Sequence, residues 1–146
     1  MNVTIAEDGI DPQIDQHKAH FILEQTLTSE GIADAEVGVI FGDDESLRKL
    51  KQDFFNKDEY TDVIAFRLND YALAAVEGEI YISVERASEN AEKFNQPLAK
   101  ELARLIIHGG LHLLEYKDDT NEEKSIMTAK ENQYLDELGW EGLIDE

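Results

Sequence analysis

The most constraining feature of the chain is an apolar segment that contains two histidines, residues 105–118 (LIIHGGLHLLEYKD). Leucine and isoleucine surround His108 and His112 on nearly every side of a helix, which predicts that this helix is buried. A spacing of four residues places both imidazoles on one helix face, about 6 Å apart at Cβ. A buried histidine needs a polar partner. The segment therefore predicts a metal site on a buried helix, and the alternative is a pair of structural histidines that bond to each other or to backbone carbonyls.

A third ligand follows the two histidines. Asp118 stands six residues after His112, and it can return to the same ion only if the helix ends soon after His112. Two histidines, one carboxylate and an open position for water describe a catalytic zinc site, with one ion per chain. Because carboxylate oxygen is a hard ligand, manganese or another divalent ion also suits this set. Asp119 is an alternative third ligand.

Gly109 and Gly110 lie side by side in the predicted helix, although each costs about 1 kcal/mol relative to alanine. Such glycines are typical of places where another group must approach the backbone closely. The spacing of the ligands also matches the zinc-protease pattern H-E-x-x-H-x-x-G-x-x-H, but the position of the general-base glutamate is Gly109 here. Without that carboxylate nothing takes the proton from the metal-bound water, so a protease is not expected.

The stretch from His108 to Asp118 resembles the signature H-G-x-L-H-L-x-G-Y-D-H of the YbeY family, which comprises metal-dependent, single-strand-specific endoribonucleases of ribosomal RNA maturation. Two upstream stretches match the family in order. Residues 50–66 resemble L-N-x-x-Y-R-x-x-D-x-P-T-D-V-L-S-F, and residues 78–83 resemble G-D-I-x-I-S. The chain departs from the family at Glu115 for glycine, Lys117 for aspartate, Asp118 for the third histidine and Phe55 for arginine.

The resemblance implies an endoribonuclease that cleaves single-stranded RNA, ribosomal RNA in particular, in ribosome maturation and quality control. His108, His112 and Gly109 would be its catalytic residues, since the paired glycines would let the scissile phosphate approach the helix. With Phe55 at the family's arginine, phosphate contact would pass to other residues. We expect substrate binding by Arg48, Lys57, Arg67, Arg86, Thr61 and Asp62.

Two pairs of residues in this region can be explained by the fold as well as by substrate binding. Thr61 and Asp62 are equally well explained as a polar turn that leads into a strand. Phe54 and Phe55 are expected to pack in the core, which is the usual role of phenylalanine. The alternative for either phenylalanine is to stack on an unpaired base.

The formal net charge of −20, from 33 acidic and 13 basic residues, argues against RNA binding, which normally depends on cationic contacts. Two other functions fit this charge better. One is a metal-dependent hydrolase of a small substrate, and the other is a metal-stabilised ribosome-associated protein that binds basic ribosomal proteins with weak or no catalysis. The discriminating feature is whether the basic residues converge near the metal, namely Arg48, Lys49, Lys51, Lys57, Arg67 and Arg86.

The length and composition of the chain indicate one folded domain over residues 1–146. The chain has no cysteine, which excludes thiolate ligands and disulfides. Its start lacks the basic and apolar stretches of a signal peptide, and no apolar run approaches the roughly 18 residues of a membrane helix. We therefore expect a cytoplasmic protein that does not associate with membranes.

The apolar periodicity predicts four strands and about five helices. The strands cover residues 2–6, 36–41, 63–66 and 79–84, and the helices cover 12–30, 43–55, 85–95, a segment opened by Pro97 that carries both ligand histidines, and a segment from the capping box at Thr120 to Tyr134 or beyond. The first helix is expected to bury Ile14, Phe21, Ile22 and Leu27, and to carry His17 and His20 on its surface.

An acidic tail, residues 136–146, is expected to be either docked or frayed. The alternation of elements predicts an α+β domain. The resemblance implies that its four strands form a mixed sheet, with the metal-binding penultimate helix packed against it.

Overall fold

The computed structural model of this protein describes residues 1–7 and 12–144. Within this part of the chain, the predicted four strands and five helices are all present. Their order is β1 (Asn2–Glu7), α1 (Gln16–Ser29), β2 (Ala35–Gly42), α2 (Asp44–Phe55), β3 (Val63–Arg67), β4 (Val76–Ser83), α3 (Val84–Lys93), α4 (Leu98–Leu113) and α5 (Asn121–Leu138).

The four strands form one mixed sheet in the order β1-β2-β4-β3. Strands β1, β2 and β4 are parallel, whereas β3 runs antiparallel to β4 and forms an edge of the sheet. The α+β class and the mixed four-stranded sheet are thus confirmed.

Burial alternates along β2 and β4, as expected for strands with one covered face. Val37, Val39, Ile80 and Ile82 point into the core and are at most 2% exposed. The opposite face of the two strands carries acidic side chains, Glu36, Glu77 and Glu79. Part of the large negative charge therefore lies on the outer face of the sheet.

Helix α4 is the central helix of the domain and contacts α1, α3, α5, β3 and β4. Its two glycines make this packing possible. A Cβ atom on Gly109 would lie 2.5 Å from Cγ2 of Ile80, and one on Gly110 would lie 2.9 Å from Cδ1 of Leu23. Both glycines are buried, so the group that approaches them closely is the protein core. The expectation that a substrate phosphate approaches the helix at Gly109 is therefore wrong, because Ile80 occupies that place.

The first helix differs from its prediction in its start and in its buried face. It begins at Gln16 rather than residue 12, because Asp15 caps it by accepting a hydrogen bond from the Lys18 amide. Ile14 is buried as expected, but it lies before the helix in an isolated bridge with Ile144. Phe21 is 43% exposed, because the buried stripe runs through its neighbour Ile22.

The other boundaries shift by a few residues. Strand β4 starts at Val76 rather than residue 79, and α3 covers Val84–Lys93 rather than 85–95. The capping box of α5 is confirmed, with Thr120 and Glu123 each bonding to the backbone of the other.

The acidic tail is docked as far as the structure describes it. Residues 136–138 belong to α5, and Leu143 and Ile144 are buried in the core. Residues 145–146 lie outside the described part of the chain.

The surface histidines of α1 are also confirmed, with His17 exposed and His20 paired with Glu24. Among the helices of residues 1–7 and 12–144, there is no segment with the length and apolar character needed to cross a membrane.

Candidate metal centre

Helix α4 and the loop after it bring His108, His112 and Asp118 together. The Nε2 atoms of the two histidines are 3.0 Å apart, and each lies 3.5 Å from Oδ2 of Asp118. A tetrahedral zinc ion with bonds of about 2.0–2.1 Å requires ligand atoms about 3.3 Å apart. The three atoms therefore form one face of a tetrahedron of the right size, and the fourth vertex is available for water or substrate.

A tight turn at the end of α4 returns the chain to this face. The amide of Glu115 donates to the carbonyl of His112, and the amide of Tyr116 donates to the carbonyl of Leu111. These two bonds form a Schellman motif, which places its C′ residue in the left-handed region. That residue is Glu115, with φ of 75°. The turn explains how Asp118 reaches an ion bound by two residues of the helix.

The same turn is anchored to the rest of the domain through Tyr116. Its hydroxyl donates a 2.5 Å hydrogen bond to the carboxylate of Glu30, which follows the C-terminus of α1. The side chain of Glu30 is only 8% exposed and also accepts hydrogen bonds from Lys130 and Tyr134 of α5. Contacts to two helices therefore hold the loop that carries Asp118.

Replacing Glu115 by glycine is expected to stabilise the protein by about 1 kcal/mol. A residue with a Cβ atom pays a steric cost of about 1–2 kcal/mol in the left-handed region, which glycine avoids, and the larger unfolded-state entropy of glycine offsets part of this gain. Urea unfolding of the metal-free protein measures the change. Glu115→Ala is the matched control, because it removes the same charge and keeps the steric cost. An equal gain in both variants would contradict the conformational explanation.

His108 is oriented by a buried carboxylate of α5. Its Nδ1 atom lies 2.7 Å from Oε2 of Glu131, and because a carboxylate accepts, Nδ1 carries the proton. The Nε2 atom consequently keeps its lone pair, directed towards His112 and Asp118. A carboxylate partner of this kind is the usual support of a metal-binding histidine. The residue Glu131 is 3% exposed.

This carboxylate belongs to a chain of polar contacts behind the site. Arg104 donates to Glu131 at 3.0 Å and pairs with Glu101 through two nitrogens, at 2.8 and 2.5 Å. The side-chain amide of Asn90 joins Glu101 to Asp62. The network thus connects His108 with Asp62, which was predicted from the sequence as a substrate-binding residue.

The surroundings of His112 favour its neutral form. Burial lowers its pKa, and the neighbouring His108 lowers it further, while Asp118 and a hydrogen bond to the Tyr116 backbone act in the opposite direction. A lowered pKa keeps the imidazole unprotonated at pH 7. Metal ligation requires this state, because only neutral imidazole offers a lone pair.

His108, His112 and Asp118 line a cavity of about 430 Å³. Of the six residues predicted to bind substrate, Lys57, Thr61 and Asp62 line this cavity. The other lining residues are Lys51, Phe55, Val63, Ile64, Ala65, Tyr71 and Asp119. Thr61 and Asp62 thus line the same cavity as the two histidines, and their role in substrate binding stays a prediction.

The three predicted arginines are not among the lining residues, since each is held by other partners. Arg48 pairs with Asp58 at 2.6 Å, and Arg86 pairs with Asp44 at 2.7 Å. The Arg67 guanidinium donates to the carbonyls of residues 70, 73, 75 and 113 and to the Asn69 side chain. Arg67 therefore organises the loop between β3 and β4 instead of facing the cavity.

The basic residues consequently do not converge on the metal ligands. Only two of the six, Lys51 and Lys57, line the cavity, and Lys51 is paired with Glu59 at 2.9 Å. Three aspartates line the same cavity, so its formal charge is negative without an ion. A divalent ion bound by His108, His112 and Asp118 would make the formal charge of the cavity positive.

Phe54 and Phe55 do not pack in the core, contrary to expectation. They are 67% and 48% exposed, and both rings lie at the end of α2 against Phe66 of β3. Glu131 was not predicted from the sequence. The signal for it is its place on the stripe of α5 formed by Met127, Tyr134 and Leu135, where an acidic residue among buried apolar ones requires a polar partner.

Comparison with known proteins agrees with this architecture. The family model for endoribonuclease YbeY matches residues 3–139. Endoribonuclease YbeY of Flavobacterium psychrophilum is 40% identical over 114 residues, which cover 77% of this chain and 79% of the relative. Endoribonuclease YbeY of Bacillus cereus is 36% identical over 129 residues, which cover 81% of this chain and 83% of the relative.

A solved structure shares the fold. The solution structure of TM1509 from Thermotoga maritima superimposes with a TM-score of 0.67 at 31% sequence identity, and the match covers 93% of this chain and 88% of that one. The sequence and structural matches, each spanning most of the chain, show that this protein belongs to the endoribonuclease YbeY family.

Proposed function

We propose that this protein is a metal-dependent endoribonuclease that cleaves single-stranded RNA, and that its physiological substrate is ribosomal RNA during maturation and quality control in the cytoplasm. The observation that carries the proposal is the triangle of ligand atoms from His108, His112 and Asp118, which has the dimensions of a zinc site and opens into a cavity. Membership of an endoribonuclease family supplies the class of reaction. Zinc suits the ligand set best, and the aspartate also admits manganese.

Some residues of the site would bind the ion, and others orient those that bind it. His108, His112 and Asp118 would hold the ion, which when bound lowers the pKa of a coordinated water and stabilises charge on a phosphate oxygen. Glu131 keeps the proton of His108 on Nδ1, and the turn at Glu115 holds Asp118 in place. Gly109 contributes indirectly, because it lets the helix that carries both histidines pack against the sheet.

Substrate contact is proposed for the residues that line the cavity. The side chain of Lys57 has no carboxylate within ion-pairing distance among residues 1–7 and 12–144, so it can bind a phosphate without giving up a partner. The Thr61 hydroxyl lies at the same wall, where it donates to the Val63 carbonyl at 3.4 Å and would turn from it to reach a phosphate. Asp62 is tied to Asn90 at 3.0 Å, which directs one of its oxygens away from the substrate.

Cleavage of a 5′-labelled single-stranded RNA of 20 nucleotides or more tests this function directly. We expect cleavage by the metal-loaded protein, loss of cleavage after chelation, and recovery when zinc or manganese is returned. The same RNA annealed to its complement is the control and should stay intact. Terminal analysis of the products identifies the nucleophile, because attack by the 2′-hydroxyl leaves a cyclic phosphate and attack by water does not. Activity that persists after chelation would exclude a metal-dependent mechanism.

One observation favours a second function, a ribosome-associated binding protein with weak or no catalysis. Four of the six basic residues considered above lie outside the cavity, which limits the cationic surface available to RNA. An acidic protein instead attracts basic ribosomal proteins. Absence of cleavage and of RNA binding, together with saturable binding to purified basic ribosomal proteins, would establish this alternative.

A further inference from the structure

An exposed aromatic ring stands inside the cavity that holds the metal ligands. Phe55 is 48% exposed and lines the same cavity as His112 and Asp118. Exposed apolar side chains that cluster at a cavity, unlike singly scattered ones, are typical of a contact surface for a ligand. Tyr71, which is 47% exposed, presents a second ring to this cavity.

The position of Phe55 is held by its local structure. Asn56 ends α2 in the left-handed region with φ of 55°, a conformation that asparagine tolerates. The ring of Phe55 stacks on Phe66 of β3, with centroids 5.7 Å apart and planes inclined by 19°. Phe66 is itself braced edge-on by Tyr81, at 5.9 Å. The ring of Phe55 is therefore supported by the sheet and keeps part of its surface free.

The wall of the cavity next to this ring is the open edge of β3. The amide of Ser83 donates to Asp62, and the amide of Leu68 donates to Glu77. In an antiparallel pair, residues that exchange backbone hydrogen bonds with the partner strand alternate with residues that do not. The even-numbered residues of β3 therefore direct their backbone N–H and C=O groups towards β4. The backbone groups of Val63 and Ala65 consequently point away from the sheet, and both residues line the cavity. The Val63 carbonyl accepts from the Thr61 hydroxyl at 3.4 Å, so the Val63 amide and the backbone groups of Ala65 are the ones placed to bond to the edge of a planar base.

We propose that Phe55 is a stacking platform for an unpaired base of the RNA whose phosphate lies at the metal ligands. This inference rests on the proposed function and names how its site selects single strands. The cavity volume of about 430 Å³ falls in the usual range for small-ligand sites, about 300–1,000 Å³. Stacking requires a free base face, which a continuous duplex does not offer, and it is indifferent to sequence.

Equilibrium binding of a fluorescein-labelled 2′-O-methyl hexaadenylate to the metal-loaded protein tests the platform, with the hexamer checked on a gel to remain intact. Phe55→Ala should weaken binding about 5- to 150-fold, the range expected for one stacked base, and Phe55→Trp should restore it. Phe54→Ala is the matched control. Phe54 is an exposed neighbour that packs edge-on against Phe66 at 5.3 Å but does not line the cavity, so its removal should change affinity less than twofold.

A hexamer of abasic 2′-O-methyl ribose phosphate separates stacking from backbone contact. It should bind more weakly than hexaadenylate and should not distinguish wild type from Phe55→Ala. Equal hexaadenylate affinity of wild type and Phe55→Ala, at unchanged metal content and thermal stability, would overturn the inference and leave the proposed function standing. An equal loss in Phe54→Ala, or a loss with the abasic hexamer, would also overturn it. Failure of the wild-type protein to bind either hexamer at low salt would instead contradict the proposed function.

Discussion

Replacement of His112 by alanine is expected to abolish stoichiometric metal binding. With His112 absent, the ion keeps one imidazole and one carboxylate, and the triangle of donors 3.0–3.5 Å apart is broken. Elemental analysis after dialysis measures the loss directly. The matched control is His20→Ala, which removes a surface histidine that is paired with Glu24 outside the site and should retain one ion per chain.

The third ligand is tested by a pair of neighbouring variants. Asp118→Ala should lose most of its metal, because Oδ2 of Asp118 lies 3.5 Å from both histidine nitrogens. Asp119→Ala should keep the ion, since Asp119 lines the cavity without belonging to the ligand cluster. Full metal content in His112→Ala would exclude this site, and loss of metal in Asp119→Ala alone would transfer the third ligand to the adjacent residue.

Replacement of Glu131 by glutamine is expected to weaken both the metal site and the fold. The loss of the carboxylate removes the partner that keeps the proton of His108 on Nδ1, and changes of this kind typically cost about 10- to 100-fold in metal affinity. It also removes one of the two carboxylates that pair with Arg104. Removing one partner of a buried salt bridge lowers the free energy of unfolding by about 3–5 kcal/mol. We expect a loss at the lower end of this range, because Arg104 still pairs with Glu101.

Competition with a chromophoric chelator measures the affinity, and urea unfolding of the metal-free protein measures the stability. Glu137→Gln is the control on the same helix, because Glu137 is exposed and bonds only to Gln133 among the described side chains. If Glu131→Gln lowers stability without changing the affinity for zinc, Glu131 supports the fold alone and does not position His108.

The secondary structure was largely predictable because it follows from short-range patterns. The alternation along β2 and β4 and the capping box at Thr120 depend on residues only a few positions apart. The start of α1 was not predictable in this way. Ile14 pairs with Ile144 at the far end of the chain, and an apolar residue just before a helix gives no local sign of such a partner.

The role of the paired glycines shows how a correct local observation can lead to a wrong assignment. Adjacent glycines in a buried helix do indicate a close approach, and the structure contains one. The approaching groups are Ile80 of β4 and Leu23 of α1. Sequence spacing cannot distinguish a core side chain from a phosphate, because the partner comes from a distant element or from outside the chain.

The sequence by itself determined that His108 and His112 share one helix face, since a separation of four residues has this effect whatever surrounds the helix. Only the tertiary structure decided what supports and surrounds them. Glu131 contacts His108 from 23 residues away in the chain. Arg48 and Arg86 pair with carboxylates, and Arg67 donates to backbone carbonyls. Phe55 lies at the cavity instead of in the core. The physical reason is the same throughout. Helix geometry is a local property, whereas the choice of a partner for a charge or a ring depends on which elements pack together.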